Sequence, residues 1–163
     1  MANLKTANTK GKYRDAESKY DVINYILNPQ AAISGYTGGM TGTPQSIAND
    51  MNDVSSSFGK TNGVQLRHFI ITFSPDEMSD ADTVNDIAQR IICYFSSEYQ
   101  AVYNVHENKP HLHIHIVINS VSYVDGHRYY GKMNEFHSFK SFVRKILKEY
   151  GICQFDYVSN SDN

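Results

Sequence analysis

Two cysteines in 163 residues, Cys93 and Cys153, are too few for a disulfide framework, and both are expected as reduced thiols of a cytoplasmic protein. No apolar run approaches the roughly 18–20 residues of a membrane span. The opening MANLKTANTKGKYRD lacks the apolar stretch of a signal peptide, so no membrane role is expected. A basic excess is missing too. The net charge of −2 excludes a uniformly basic surface of the kind that binds nucleic acid through phosphate contacts alone. The charges are unevenly spread, however: Asp76, Glu77, Asp80, Asp82 and Asp86 fall together, while Lys140, Arg144, Lys145 and Lys148 share one segment that could form a local basic face. Internal repeats and low-complexity tracts are also absent. With 40% hydrophobic residues the chain supports one core and not two. A single domain over 1–158 is expected, with 159–163 as a disordered tail or the cut end of the expressed segment.

What is present reads as alternating helices and strands. Residues 15–27 carry Val22, Ile23, Ile26 and Leu27 as one apolar stripe, ended by Asn28-Pro29. Residues 28–44 hold four of the ten glycines and read as a mobile loop, ordered mainly by a bound ligand. Thr43-Pro44 looks like an N-cap and first helical position for a helix to about Phe58. LRHFIITF (66–73) has the length and composition of a strand, and residues 80–97 form an amphipathic helix. Strands at about 100–106 and 111–121 are joined by Glu107-Asn108-Lys109-Pro110 as a hairpin, with a second short hairpin near Asp125-Gly126. A helix over 134–150 with Gly151 at its C-terminal cap precedes a closing strand at about 152–158. The order predicts an α+β fold with a central antiparallel sheet and helices packed on it.

The segment His111-Leu112-His113-Ile114-His115-Ile116-Val117-Ile118-Asn119 carries the chemistry. Side chains alternate along a strand, so His111, His113, His115 and Asn119 share one face and the aliphatic residues the other. The aliphatic face must be core. A four-residue turn would set His106 roughly opposite His111. Four of the seven histidines thus fall within ten residues. Neutral imidazoles converging on one point suit a divalent metal ion with open coordination positions. A structural zinc site is disfavoured because no cysteine joins the group. His68, His127 and His137 receive no role from the sequence.

The stretch VHENKPHLHIHIVINSV resembles the third motif of the MobP-type relaxases, within the HUH endonucleases. In that motif a histidine precedes, by seven residues, a histidine–hydrophobic–histidine pair that ends in asparagine; here these are His106, His113, His115 and Asn119. Ile71-Thr72-Phe73 is similar to the family's second motif, and Tyr25-Ile26-Leu27-Asn28-Pro29 to its first, in which an early helix carries a tyrosine nucleophile. Many relatives have an acidic residue where this chain has Asn108, and Glu107 stands beside it.

The resemblance implies a DNA-nicking relaxase domain of a bacterial mobilisation protein, acting in the cytoplasm. Its ion would be Mn²⁺ or Mg²⁺ on His106, His113 and His115, with His111 adjacent and His111, Glu107 and Asn119 supporting. Tyr25 would be the nucleophile and Thr72 a DNA contact. The partners implied are single-stranded oriT DNA, relaxosome accessory proteins and a conjugative coupling protein. At about 100° per residue Tyr25 lies roughly 130° from the centre of its helix's apolar stripe, off the core face. Tyr36 and Tyr20 are its rivals. A rolling-circle initiator or transposase would instead use a late tyrosine, Tyr150 or Tyr157. A catalytically inactive metal- or DNA-binding module and a small-molecule metallohydrolase based on Glu107 are the remaining alternatives.

Overall fold

A computed structural model describes residues 1–158; the expected tail 159–163 lies outside the described residues. The chain runs β1 (Ala2–Thr6), α1 (Glu17–Ile26), β2 (Ala32–Gly39), α2 (Pro44–Ser57), β3 (Leu66–Thr72), α3 (Ala81–Ser96), β4 (Ala101–His106), β5 (His113–Asn119), α4 (Met133–Glu149) and β6 (Phe155–Tyr157). The strands form one sheet in the order β2-β4-β5-β3-β1-β6. Every pair is antiparallel except the edge pair β1–β6. The expected α+β fold is present, with one parallel edge added.

Strand alternation divides the residues between two helical layers. Phe69, Ile71, Tyr103, Val105, Ile114, Ile116 and Ile118 face α3 and α4. Phe69, Phe95 and Phe139 meet there with ring centroids 4.7–5.6 Å apart. On the opposite face Leu66, Val102 and Val117 pack against Val22, Ile23 and Ile26 of α1 and Ile47, Ala48 and Met51 of α2. The helix starts follow the sequence signals. Thr43 Oγ1 accepts the Ser46 N–H at 3.1 Å ahead of Pro44, and Asp80 accepts the Thr83 N–H at 3.1 Å.

Three expectations are corrected, and one strand is added that the sequence reading did not include. Residues 28–44 are not simply a loop, because they contain β2, hydrogen-bonded along β4 at the sheet edge. Its glycines permit close approach: a Cβ at Gly38 would come within 2.5 Å of the Tyr103 ring, and one at Gly39 within 2.2 Å of the Ala101 carbonyl. The connection between β4 and β5 covers residues 107–112, so His106 pairs with His113 and not with His111. The hairpin expected near Asp125-Gly126 is a turn beside one isolated bridge, Val121–Arg128. The N-terminal segment supplies β1, which pairs with β3 and β6.

The α1–α2 layer also encloses a polar group of contacts. Lys19, fully buried, donates to the Met51 carbonyl at 3.2 Å and to Ser55 Oγ at 2.6 Å. Asn119 donates to the Met51 carbonyl at 3.0 Å and to Gln100 Oε1 at 3.0 Å, and accepts from Ser55 Oγ at 3.3 Å. Asn119→Ala would strand these buried partners, a loss of about 1–3 kcal/mol. Urea unfolding should show that fall with the slope of the transition unchanged.

Candidate metal centre and tyrosine site

The pairing of β4 with β5 sets His106 directly beside His113, and His115 follows on the same face. Ring centroids are 5.2 Å apart for His106–His113, 4.2 Å for His106–His115 and 5.0 Å for His113–His115. All three residues are buried, and each offers a ring nitrogen within 4.8 Å of the others'. Among the described residues no carboxylate or thiolate belongs to this group.

The hydrogen bonds fix which nitrogens are free. His106 Nε2 lies 2.6 Å from the Ile26 carbonyl, which can only accept, so Nε2 carries the proton and Nδ1 the lone pair. His113 Nδ1 likewise faces the His111 carbonyl at 3.2 Å. His115 Nδ1 lies 2.8 Å from His68 Nε2. Of the three remaining nitrogens, His106 Nδ1 and His115 Nε2 are buried with no partner. Buried nitrogens left without partners are costly unless something is bound to them. Three imidazoles grouped this closely, each held through one nitrogen, fit a divalent ion and could hold one.

Burial also keeps these rings neutral, as ligands must be. Desolvation lowers the pKa of His106, pushes that of His113 down to about 4 and that of His68 to about 3, and drives that of His115 well below the usual range. Lys5 and Lys12 add positive charge near His68, and Lys109 near His113 and His115.

Tyr25 ends α1 beside the cluster. Its ring centroid lies 5.6 Å from that of His115 and 6.0 Å from that of His106, and the residue is 49% exposed. A cleft of about 300 Å³ opens there, walled by Tyr13, Val22, Tyr25, His68, Ile70 and His115. Tyr13 holds a left-handed backbone at φ 60°, with its carbonyl accepting the Gln65 N–H at 2.7 Å. A non-glycine residue in that region is held there by its surroundings.

The other expected site residues are dispersed. Thr72 pairs in register with His113, half-buried on the histidine face. His111 reaches the cluster through its carbonyl, its own ring standing 5.8 Å from that of His113. Glu107 is exposed and outside the cluster. Asn119 bonds to α2 and Gln100 and supports no histidine, being four strand residues beyond His115, about 13 Å at the usual rise. Tyr36 points to the other layer, where its hydroxyl donates to Asp82. Tyr20 lies in a separate cleft with Asp21 and Asn52. Tyr150 bonds to Asp86, and Tyr157 packs on Phe136 at 4.6 Å, both on the α4 side. The basic residues 140–148 also ride on α4, across the sheet from the histidines.

His68 escaped the sequence reading. Its sign was its phase in LRHFIITF, which puts it with Leu66, Ile70 and Thr72 on the face opposite Phe69 and Ile71. His68→Ala should leave His115 free to turn, and Mn²⁺ affinity measured by calorimetry should fall about 10–100-fold. The unfolded chain takes up protons near pH 6.5 that the folded cluster refuses until about pH 4 at His113 and about pH 3 at His68. Stability is therefore complete above about pH 6.5 and is lost as the pH falls towards 4. The denaturant midpoint of the metal-free protein should track that window.

A MobA/VirD2-like relaxase nuclease domain matches residues 25–152. The chain is 32% identical over 152 residues to protein rlx of Staphylococcus aureus, covering 93% of this chain and 44% of that protein. It is also 32% identical over 74 residues to the group II intron-interrupted relaxase LtrB of Lactococcus lactis, covering 45% of this chain and 13% of that protein. The chain therefore spans less than half the length of these relatives. With a family match across most of its length, and histidines and an early tyrosine brought together on one sheet face, the chain belongs to the MobA/VirD2-like relaxase nuclease family.

Proposed function

We propose that the domain nicks one strand of oriT DNA in conjugative transfer or mobilisation, with Tyr25 as nucleophile. The observation that carries this reading is the closeness of the exposed Tyr25 ring to two buried imidazoles that each keep a nitrogen without a partner. Tyr36, Tyr20, Tyr150 and Tyr157 have no such neighbourhood.

His106, His113 and His115 would hold the divalent ion, Mn²⁺ or Mg²⁺. Bound there, it supplies a Lewis acid and clamp for the oxygens of a phosphodiester, undiminished in charge by its neutral ligands. The Tyr25 hydroxyl attacks phosphorus in line and gives up its proton as the new O–P bond forms. The bond from phosphorus to the 3′ oxygen breaks, that oxygen takes a proton, and the 5′ phosphate stays on the tyrosine. The phosphotyrosyl ester retains the energy of the broken bond, so a 3′-OH can later reverse the step. Thr72, beside His113 in the open part of this face, is suited to contact the strand near the nick. Accessory proteins at oriT and a coupling protein would act with the longer chain.

Tyr25→Phe removes one exposed hydroxyl, and stability should stay within about 0.5 kcal/mol of the parent. Incubated with Mn²⁺ and a single-stranded oriT oligonucleotide, it should bind DNA yet give no covalent band on a denaturing gel, whereas Tyr36→Phe should give the parent's band. An adduct from Tyr25→Phe that disappears in Tyr36→Phe would contradict the assignment.

A further inference from the structure

A second cleft lies on the histidine side of the sheet, at its β2 edge. It encloses about 360 Å³ between the C-terminus of α1, the N-terminus of α2 and β2. Its origin is a bulge: β2 advances from Ala32 to Thr37 while β4 advances only from His106 to Asn104. Ile33–Tyr36, set against Val105 alone on β4, leave the regular ladder, and Ile33, Ser34 and Gly35 form one wall. Bulges of this kind are found preferentially beside functional sites. Leu27, Met40 and Ile47 make the other walls apolar.

Ser34, Thr37, Thr41 and Asn104 are the cleft's polar lining residues, and Asn104 stands apart from the rest. It is only 4% exposed, and its Oδ1 is buried without a hydrogen-bond partner. Like the unpartnered nitrogens of His106 and His115, an unmet amide oxygen lining a cleft is a buried polar group open to a partner from outside. Asn104 also adjoins the metal centre, paired in register with His115 and two residues from His106 along β4. What binds here therefore lies within about 7 Å of the histidine cluster, at the usual strand rise.

We propose that this cleft takes up one unstacked base of the DNA strand beside the nick, and that Asn104 reads its edge. The proposal rests on the relaxase reading above. The volume is at the lower end for small-ligand sites, about 300–1,000 Å³, and the apolar walls suit the faces of a flat ring. The polar lining residues Ser34, Thr37 and Thr41 leave hydrogen-bonding groups for the sugar and phosphate that a base brings with it. Bases of single strands are commonly splayed out of the stack and read on their edges in this manner. An asparagine amide presents an acceptor and a donor side by side, which matches the N6 amine and N7 of adenine. Adenine is the base expected.

The test selects bound sequences from a randomised single-stranded DNA library with Mn²⁺, using Tyr25→Phe protein to prevent turnover. One position of the enriched consensus should favour adenine. Adding Asn104→Leu should flatten that position by about 10–100-fold, the worth of one such paired contact, and leave the others intact. Asn104→Asp keeps the shape but only accepts, and should move the preference to cytosine through its N4 amine. Mn²⁺ affinity should be unchanged in both. A consensus indifferent to both substitutions overturns the pocket and leaves the relaxase reading standing. Uniform weakening at all positions, with loss of Mn²⁺ affinity, also overturns it and makes Asn104 a prop of the histidines. If the Tyr25→Phe protein enriches no sequence, the DNA reading fails and the pocket with it.

Discussion

The antiparallel pairing of His106 with His113 at the centre of the sheet is the contact on which the site depends. One register places Val105, Ile114, Ile116 and Ile118 against α3 and α4, and the imidazoles under α1. A slip by one residue would send the histidines into the aromatic core and the isoleucines to the cleft, so the packing of Ile114, Ile116 and Ile118 fixes the site as firmly as any polar contact. The same burial strips the rings of water and keeps them unprotonated. The cost of desolvating them is offset only in part by the carbonyls of Ile26 and His111 and by His68. A bound ion would complete the accounting.

The bond from His106 to Ile26 links the two halves of the site. Ile26 follows Tyr25 in the chain, and its side chain is fully buried in the α1–α2 core. The backbone at the end of α1 is therefore pinned from both sides, by packing through Ile26 and by the imidazole through its carbonyl. A tyrosine on a flexible terminus would have to be ordered at each encounter; here the immobilisation is built into folding, which suits the nucleophile's role proposed for Tyr25. At the other end of α1, Lys19 reaches Met51 and Ser55 of α2, and Asn119 returns from β5 to the same carbonyl. The helix is held at both ends by contacts that cross layers.

Much of this was legible in the sequence because it rests on periodicity. The alternation in HLHIHIVIN separates core from site, and the angular position of Tyr25 on a four-residue apolar stripe puts it outside the core. What was hidden depends on pairing between distant segments. His68 meets His115 only because β3 lies beside β5, a partnership that no local pattern announces. β2 lacks alternation, since AISGYTGG serves an edge where glycines at 38 and 39 let the strand close on Tyr103 and Ala101. Asn119 illustrates the opposite error. It shares a face with the histidines, yet strand length carries it out of their reach and into contact with α2. Sharing a face is necessary for a common site and does not suffice.

Charge makes the same point about position. The chain is slightly acidic, and the most basic stretch in the sequence, on α4, lies across the sheet from the histidines. The cations whose fields reach the cluster are Lys5, Lys12 and Lys109, drawn from β1, the segment after it and the β4–β5 connection. Few local positive charges beside an overall negative field give weak attraction for DNA at large and a stronger one at the cleft. A protein arranged in this way cannot rely on phosphate contacts to hold a strand, because that term scales with the number of phosphates neutralised. Were it to take a single strand as proposed above, its affinity would come from an ion, from stacking and from base edges, all of which act at short range. Under that proposal, discrimination among sequences would follow from the same scarcity of charge that, in the sequence alone, spoke against a nucleic-acid binder.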